Sequence, residues 1–108
     1  MNITTRQWTA AEVLAELKRN RDWLRGLGVR ALGLFGSYRH GTPRPGSDMD
    51  FLVDMEQPSF DTYMELKLWL EDTFGCPVDL VLLDSIKPRL RPVILREVLY
   101  AEGLSPVS

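Results

Sequence analysis

The chain has 108 residues, 15 acids against 13 Lys and Arg, a net charge of −2, and 44% hydrophobic residues. That length and composition exclude a disordered chain and a second full domain, and the near-neutral charge argues against direct nucleic-acid binding. One cysteine and one histidine exclude a disulfide framework and a Cys/His zinc centre. No apolar run reaches the length of a membrane span, and the polar start from Met1 to Thr9 lacks a signal-peptide core, so a cytoplasmic protein is expected.

Thr9 to about Arg25 reads as one helix. Thr9 and Glu12 form a capping box, and Ala10, Val13, Leu14, Leu17 and Leu24 recur at helical spacing. Val29 to Phe35 is short, apolar and stopped by Gly36, which predicts a buried strand. Ser37 to Ser47, with Gly41, Pro43, Pro45 and Gly46, predicts a loop, with room for one helical turn at its start. The Pro43-Arg44-Pro45 segment stiffens that loop.

Met49 to Met55 predicts a second strand. Pro58 to Phe74 predicts a long helix with Phe60, Tyr63, Leu66, Leu70 and Phe74 on its buried stripe, closed by Gly75 and Pro77. Val78 to Leu83 predicts a third, central strand. Pro88 to about Glu97 predicts a helix with Pro92 in its first turn. Val98 to Ala101 fits either the helix end or a short edge strand, and residues 102–108 read as a frayed tail. These elements describe one domain over 1–108, with its core at about 9–101. The fold class is α/β (α+β), a small β-sheet with helices packed on it.

Three acids stand where strands should be apolar. Asp48 and Asp50 flank Met49 at the start of the second strand, and residues i and i+2 of a strand share a face about 6.6 Å apart. Two carboxylates that close repel each other unless a cation lies between them. Hard oxygen ligands suit Mg²⁺, which binds one or two carboxylates together with substrate phosphates. The plain rival is a pair of acids facing water at a strand end.

Gly36-Ser37 shifts the balance. Directly after a buried strand, glycine lets a phosphate approach the backbone, and a following helical turn offers free N–H groups to an anion. Asp79 interrupts the third strand. A buried charge there needs either an arginine partner, such as Arg30 or Arg39, or a metal. Beside a metal, it can accept a proton from an attacking hydroxyl.

Gly36-Ser37, ten intervening residues, and then Asp48-x-Asp50, with Asp79 on a later apolar strand, together resemble the signature of the DNA polymerase β-like nucleotidyltransferases. The short chain resembles their minimal nucleotidyltransferase branch, the antitoxins of HEPN-domain ribonuclease toxins. The resemblance runs from about Leu32 to Tyr100. It implies a small mixed sheet with helices on it, and ATP as substrate with Mg²⁺, two ions in all. Asp48 and Asp50 would be metal ligands, with Asp79 completing the catalytic and metal set, and Gly36 and Ser37 would hold the triphosphate. AMP would pass to a hydroxyl, in that branch a tyrosine of the toxin, within a hetero-oligomer. One departure is visible. The family's Ala-Arg-Gly is here Arg39-His40-Gly41, so the basic residue expected at the nucleotide moves to Arg39, and His40 takes the usual Arg place.

The other features have plainer readings. Trp8, Trp23 and Trp69 are expected in the core or at an interface, with Trp69 out of phase with its helix's buried stripe and so a candidate partner contact. Lys87, Arg89, Arg91 and Arg96 form a basic patch, a solvated face, a surface for an acidic partner or a means of steering the nucleotide. Cys76 is read as a small buried residue and not a nucleophile. Two rival functions accompany the adenylyltransferase: an antitoxin that only occludes its partner, and a small-molecule nucleotidyltransferase of the aminoglycoside-modifying type.

Overall fold

The computed structural model describes residues 8–43 and 47–106. The N-terminal start, the Arg44-Pro45 part of the stiff loop and the last two residues of the tail lie outside the described residues.

Strands β1 (Val29–Phe35) and β2 (Met49–Met55) have the bounds that the sequence predicts, and they pair antiparallel. Helix α4 (Phe60–Phe74) follows β2 and leads to β3 (Val78–Leu82), which returns parallel to β2. The two-residue strand β4 (Leu99–Tyr100) pairs antiparallel with β1, which decides for the edge strand at that position. The sheet is therefore mixed, in the order β3-β2-β1-β4. The third strand is an edge strand and not a central one.

Helix α1 (Ala10–Arg19) starts at the predicted capping box, with Glu12 N–H donating to the Thr9 hydroxyl and Thr9 N–H to the Glu12 carboxylate. It stops six residues early. At Asn20 the side-chain amide donates to the Glu16 carbonyl, competing with the helical ladder, and a separate helix α2 (Arg21–Gly26) begins. In α4, Ser59 is the N-cap, and Gly75 ends the helix at φ 69°, where a side chain would be strained. A 3₁₀ turn (Leu83–Ser85) takes the last predicted residue of the third strand. The final helix α5 (Arg91–Glu97) starts three residues late, because the Lys87 carbonyl first accepts from Leu90 and Arg91 N–H in a turn.

Alternation along the strands gives the sheet two different faces. On one, Leu32, Leu34, Phe51, Val53, Val78 and Leu80 pack against Val13, Leu17, Leu24, Leu66, Leu70 and Phe74 of α1, α2 and α4. Each such leucine or valine contributes about 1.5–3 kcal/mol by leaving water. On the other face, a smaller cluster joins Leu52 and Val81 to Phe35, Leu83, Ile86, Ile94, Val98 and Tyr100.

Three further expectations change. The tail is docked as far as Leu104, which is fully buried and whose carbonyl accepts from Leu32 N–H. Phe60 is 77% exposed at the first turn of α4 instead of lying on the buried stripe. Trp69 stacks at a tilt on Trp23 of the same chain, with ring centres 5.3 Å apart, so its partner is internal. Trp8 is likewise absorbed by the core, edge-on to Phe74 and donating to its carbonyl.

Candidate active site

The strand register does what spacing alone could not. Asp50 on β2 lies opposite Asp79 on β3, and Phe35, the last residue of β1, lies opposite Asp50 on the other side. Gly36 follows Phe35 and opens the short helix α3 (Gly36–His40) at φ 76°. A Cβ at Gly36 would overlap the Asp50 carboxylate, so glycine is required by both the backbone angle and the neighbour. Gly36, Asp50 and Asp79 thus form a row across three strands. Asp48, exposed, lies two residues before Asp50, and the intervening Met49 is buried, with its N–H donating to the Pro77 carbonyl.

The electrostatics fit a cation site. The Asp50 carboxyl is pushed up to about 6, first by burial and then by the charges of Asp79 and Asp48. Among the described residues no Lys or Arg pairs with any of the three acids. Asp79 is exposed on its edge strand, so the cost of a buried charge does not arise there. The arginines named as its rivals are engaged elsewhere: Arg30 pairs with Asp54 at 3.0 Å, and Arg39 donates from Nε to the Glu97 carbonyl at 2.7 Å. Among the described residues, no group of three or more His, Cys, Asp or Glu is arranged to hold a metal ion unaided. The register sets Asp50 opposite Asp79, and any cation held there needs ligands beyond these carboxylates.

Ser37 is the second residue of α3, beside Gly36. Arg39, the residue expected at the nucleotide, donates from Nε to the Glu97 carbonyl, a bond that holds α3 against the end of α5. His40 adds to this link, with Nε2 3.5 Å from the Glu97 carboxylate. Tyr38 anchors the other side of α3. It is buried, and its hydroxyl, pushed up by burial, hydrogen-bonds the Cys76 thiol. Burial and the nearby Asp48 and Glu71 charges push the Cys76 thiol up as well, which keeps it protonated and unreactive. Sequence reasoning missed the Tyr38–Cys76 and Arg39–Glu97 contacts. They join residues far apart in the chain, and no local pattern signals them.

A groove of about 550 Å³ runs along the other end of β3, lined by Pro58, Phe60, Tyr63, Leu80 and Leu82. It contains no acid or base and lies away from the carboxylate row. No helix among the described residues is long and apolar enough to cross a membrane.

The chain as a whole is similar to known proteins. The sequence profile of the nucleotidyltransferase domain matches residues 12–101. The protein adenylyltransferase MntA of Thermococcus cleftensis is 42% identical over 94 residues, spanning 85% of this chain and 95% of the relative. A solved minimal nucleotidyltransferase superposes with a TM-score of 0.73 at 32% identity, covering 86% of this chain and 96% of that one. A crystal structure of a toxin–antitoxin with AMP-PNP superposes at 0.60 with 26% identity, covering 76% and 72% of the two chains. With the mixed sheet, the carboxylate row and these likenesses in agreement, the chain belongs to the nucleotidyltransferase domain family and is an enzyme of its minimal, MntA-like kind.

Proposed function

We propose that the chain transfers AMP from ATP, with Mg²⁺, to a tyrosine hydroxyl of a partner HEPN ribonuclease toxin, and so acts as its antitoxin. The observation that carries this reading is the juxtaposition of Gly36, directly after β1, with Asp50 on β2 and Asp79 on β3. The relative named protein adenylyltransferase and the toxin–antitoxin structure with AMP-PNP support it.

Asp48 and Asp50 would hold the metal, with Asp79 completing the set. Bound Mg²⁺ supplies charge neutralisation at the phosphates. The backbone at Gly36 and Ser37 approaches the triphosphate, which only a residue without Cβ permits at position 36. The acceptor oxygen attacks the α-phosphorus, a new P–O bond forms, and the bond to pyrophosphate breaks. Asp79, exposed at the sheet edge, takes the hydroxyl proton as general base.

Intact-mass measurement of a co-expressed HEPN-domain protein tests this reading. Wild type is expected to add mass in whole AMP units. Asp50→Asn is expected to slow transfer about 10³-fold, about 4 kcal/mol on the barrier, while keeping the fold. An unmodified partner that still co-purifies and is inhibited would establish occlusion instead. Transfer undiminished in Asp50→Asn would overturn the metal assignment.

A further inference from the structure

The catalytic face of the sheet is only partly covered by the chain itself. Helix α5 lies on it through Ile94, yet none of its residues is fully buried. The turn before it exposes Leu90, and its two flanks expose Val93 and Leu95 on either side of Arg96; the three are 46%, 53% and 40% exposed, in that order. Around them stand Lys87, Arg89 and Arg96, all exposed and, among the described residues, without an ion-pair partner. Residues 87–96 contain four cations and no acid, in a chain whose net charge is −2.

The patch is continuous with the active site. Arg39 and His40 of α3, the helix that Gly36 opens, both contact Glu97 at the end of α5. Ile94 packs with Leu52, two residues from Asp50, so a protein seated on α5 lies on the same face of the sheet as the carboxylates.

We infer that α5 and the turn before it are the docking surface for the acceptor protein, which presents Asp and Glu flanked by apolar residues. This inference rests on the proposed protein adenylylation and specifies where the acceptor sits. Three observations choose this occupant. The exposed cations call for acids. The apolar residues on the flanks of the helix fit a protein interface better than a phosphate backbone. The link through Glu97 places the surface where an acceptor must arrive. The outer stripe of α4, with Phe60 and Leu68 exposed between Asp61, Glu65 and Asp72, has the opposite charge and lies on the far side of the sheet. A second copy of this chain would put that stripe on α5, and this is the occupant to be distinguished.

The test places a photo-crosslinking benzoylphenylalanine at Val93 of the full chain, co-expressed with the HEPN-domain protein. Crosslinking to that protein is expected. Crosslinking to a second copy of this chain, to RNA, or to nothing would overturn the inference. In parallel, Val93→Glu and the charge reversal Arg96→Glu are expected to raise the KM for the acceptor at least 10-fold and leave the KM for ATP unchanged. Leu68→Glu on α4 is expected to change neither. An unchanged acceptor KM in both α5 variants would also overturn it. Failure of the adenylylation reading looks different: the co-expressed partner would stay unmodified while the Val93 crosslink still reports where it sits.

Discussion

Two faces of one small sheet carry opposite kinds of residue from the same strands. Along β2, Phe51 and Val53 turn toward α1, α2 and α4 and are fully buried, whereas Asp50 between Met49 and Phe51 turns the other way and stays half-exposed. Along β3, Val78 and Leu80 belong to the core and Asp79 to the open side. The helix-covered face collects apolar area and sets stability. The opposite face has only the smaller cluster of Leu52, Ile86 and Val98, and it carries Asp50 and Asp79 side by side next to Gly36 without a Lys or Arg partner among the described residues. A two-residue period is enough to separate the two tasks within a seven-residue strand.

Substitutions confined to one face test that separation. Leu66→Ala on the core face is expected to have the largest effect. Leu66 is fully buried in α4, so a cavity should cost about 4 kcal/mol and lower Tm by about 20 °C, with the transfer rate per folded molecule unchanged. A thermal melt combined with single-turnover transfer at low temperature checks both halves. If the rate fell together with Tm, the faces would be coupled more tightly than this division allows.

Gly36→Ala on the open face should do the reverse. The added methyl meets the Asp50 carboxylate at a backbone angle that disfavours alanine. Transfer should fall about 100-fold, about 2.7 kcal/mol on the barrier, with a smaller loss of stability, a little over 1 kcal/mol. A variant that melts early but turns over normally would show that the glycine serves the turn alone.

The smallest effect concerns pH. Asp50 has a folded-state value of about 6, above the ordinary carboxylate value of 3.8. The folded state therefore holds the proton more tightly, and ionising Asp50 costs stability as pH rises from about 4 through 6. Asp50→Asn removes that cost. Its Tm advantage over wild type should be absent near pH 4, grow through pH 6 and level off above it. Added Mg²⁺ should narrow the gap at pH 8 by stabilising the wild type alone. A gap independent of pH would mean that neither burial nor the charges of Asp79 and Asp48 raise the Asp50 carboxyl.

Much of this was legible in the sequence, for local reasons. Both long strands were bounded correctly because glycine, proline and polar residues punctuate them. The capping box marked the start of the first helix. The carboxylates and Gly36-Ser37 stood out because acids and glycine interrupt apolar runs. What could not be read depends on contacts between distant residues. Strand order decides that Asp79 sits at an edge and lies opposite Asp50. The Asn20 amide breaks a helix whose apolar spacing continues through Leu24. Arg39 looked like a phosphate ligand by position, yet its Nε reaches a carbonyl 58 residues away. Leu104 looked like tail because nothing near it in sequence shows that it fills a gap beside Leu32.

That last contact has a consequence for how the protein is made. The Leu32 N–H pairs with the Leu104 carbonyl, and Ala101 N–H with the Leu32 carbonyl, across about seventy residues. During synthesis at roughly 5–20 residues per second, β1 emerges roughly 4–14 s before the segment that closes its outer edge. For that interval an apolar strand has an open row of hydrogen-bonding groups, a template for pairing with another chain. The vulnerable moment for this protein is therefore on the ribosome, and chaperone demand should track the translation rate between codons 35 and 104.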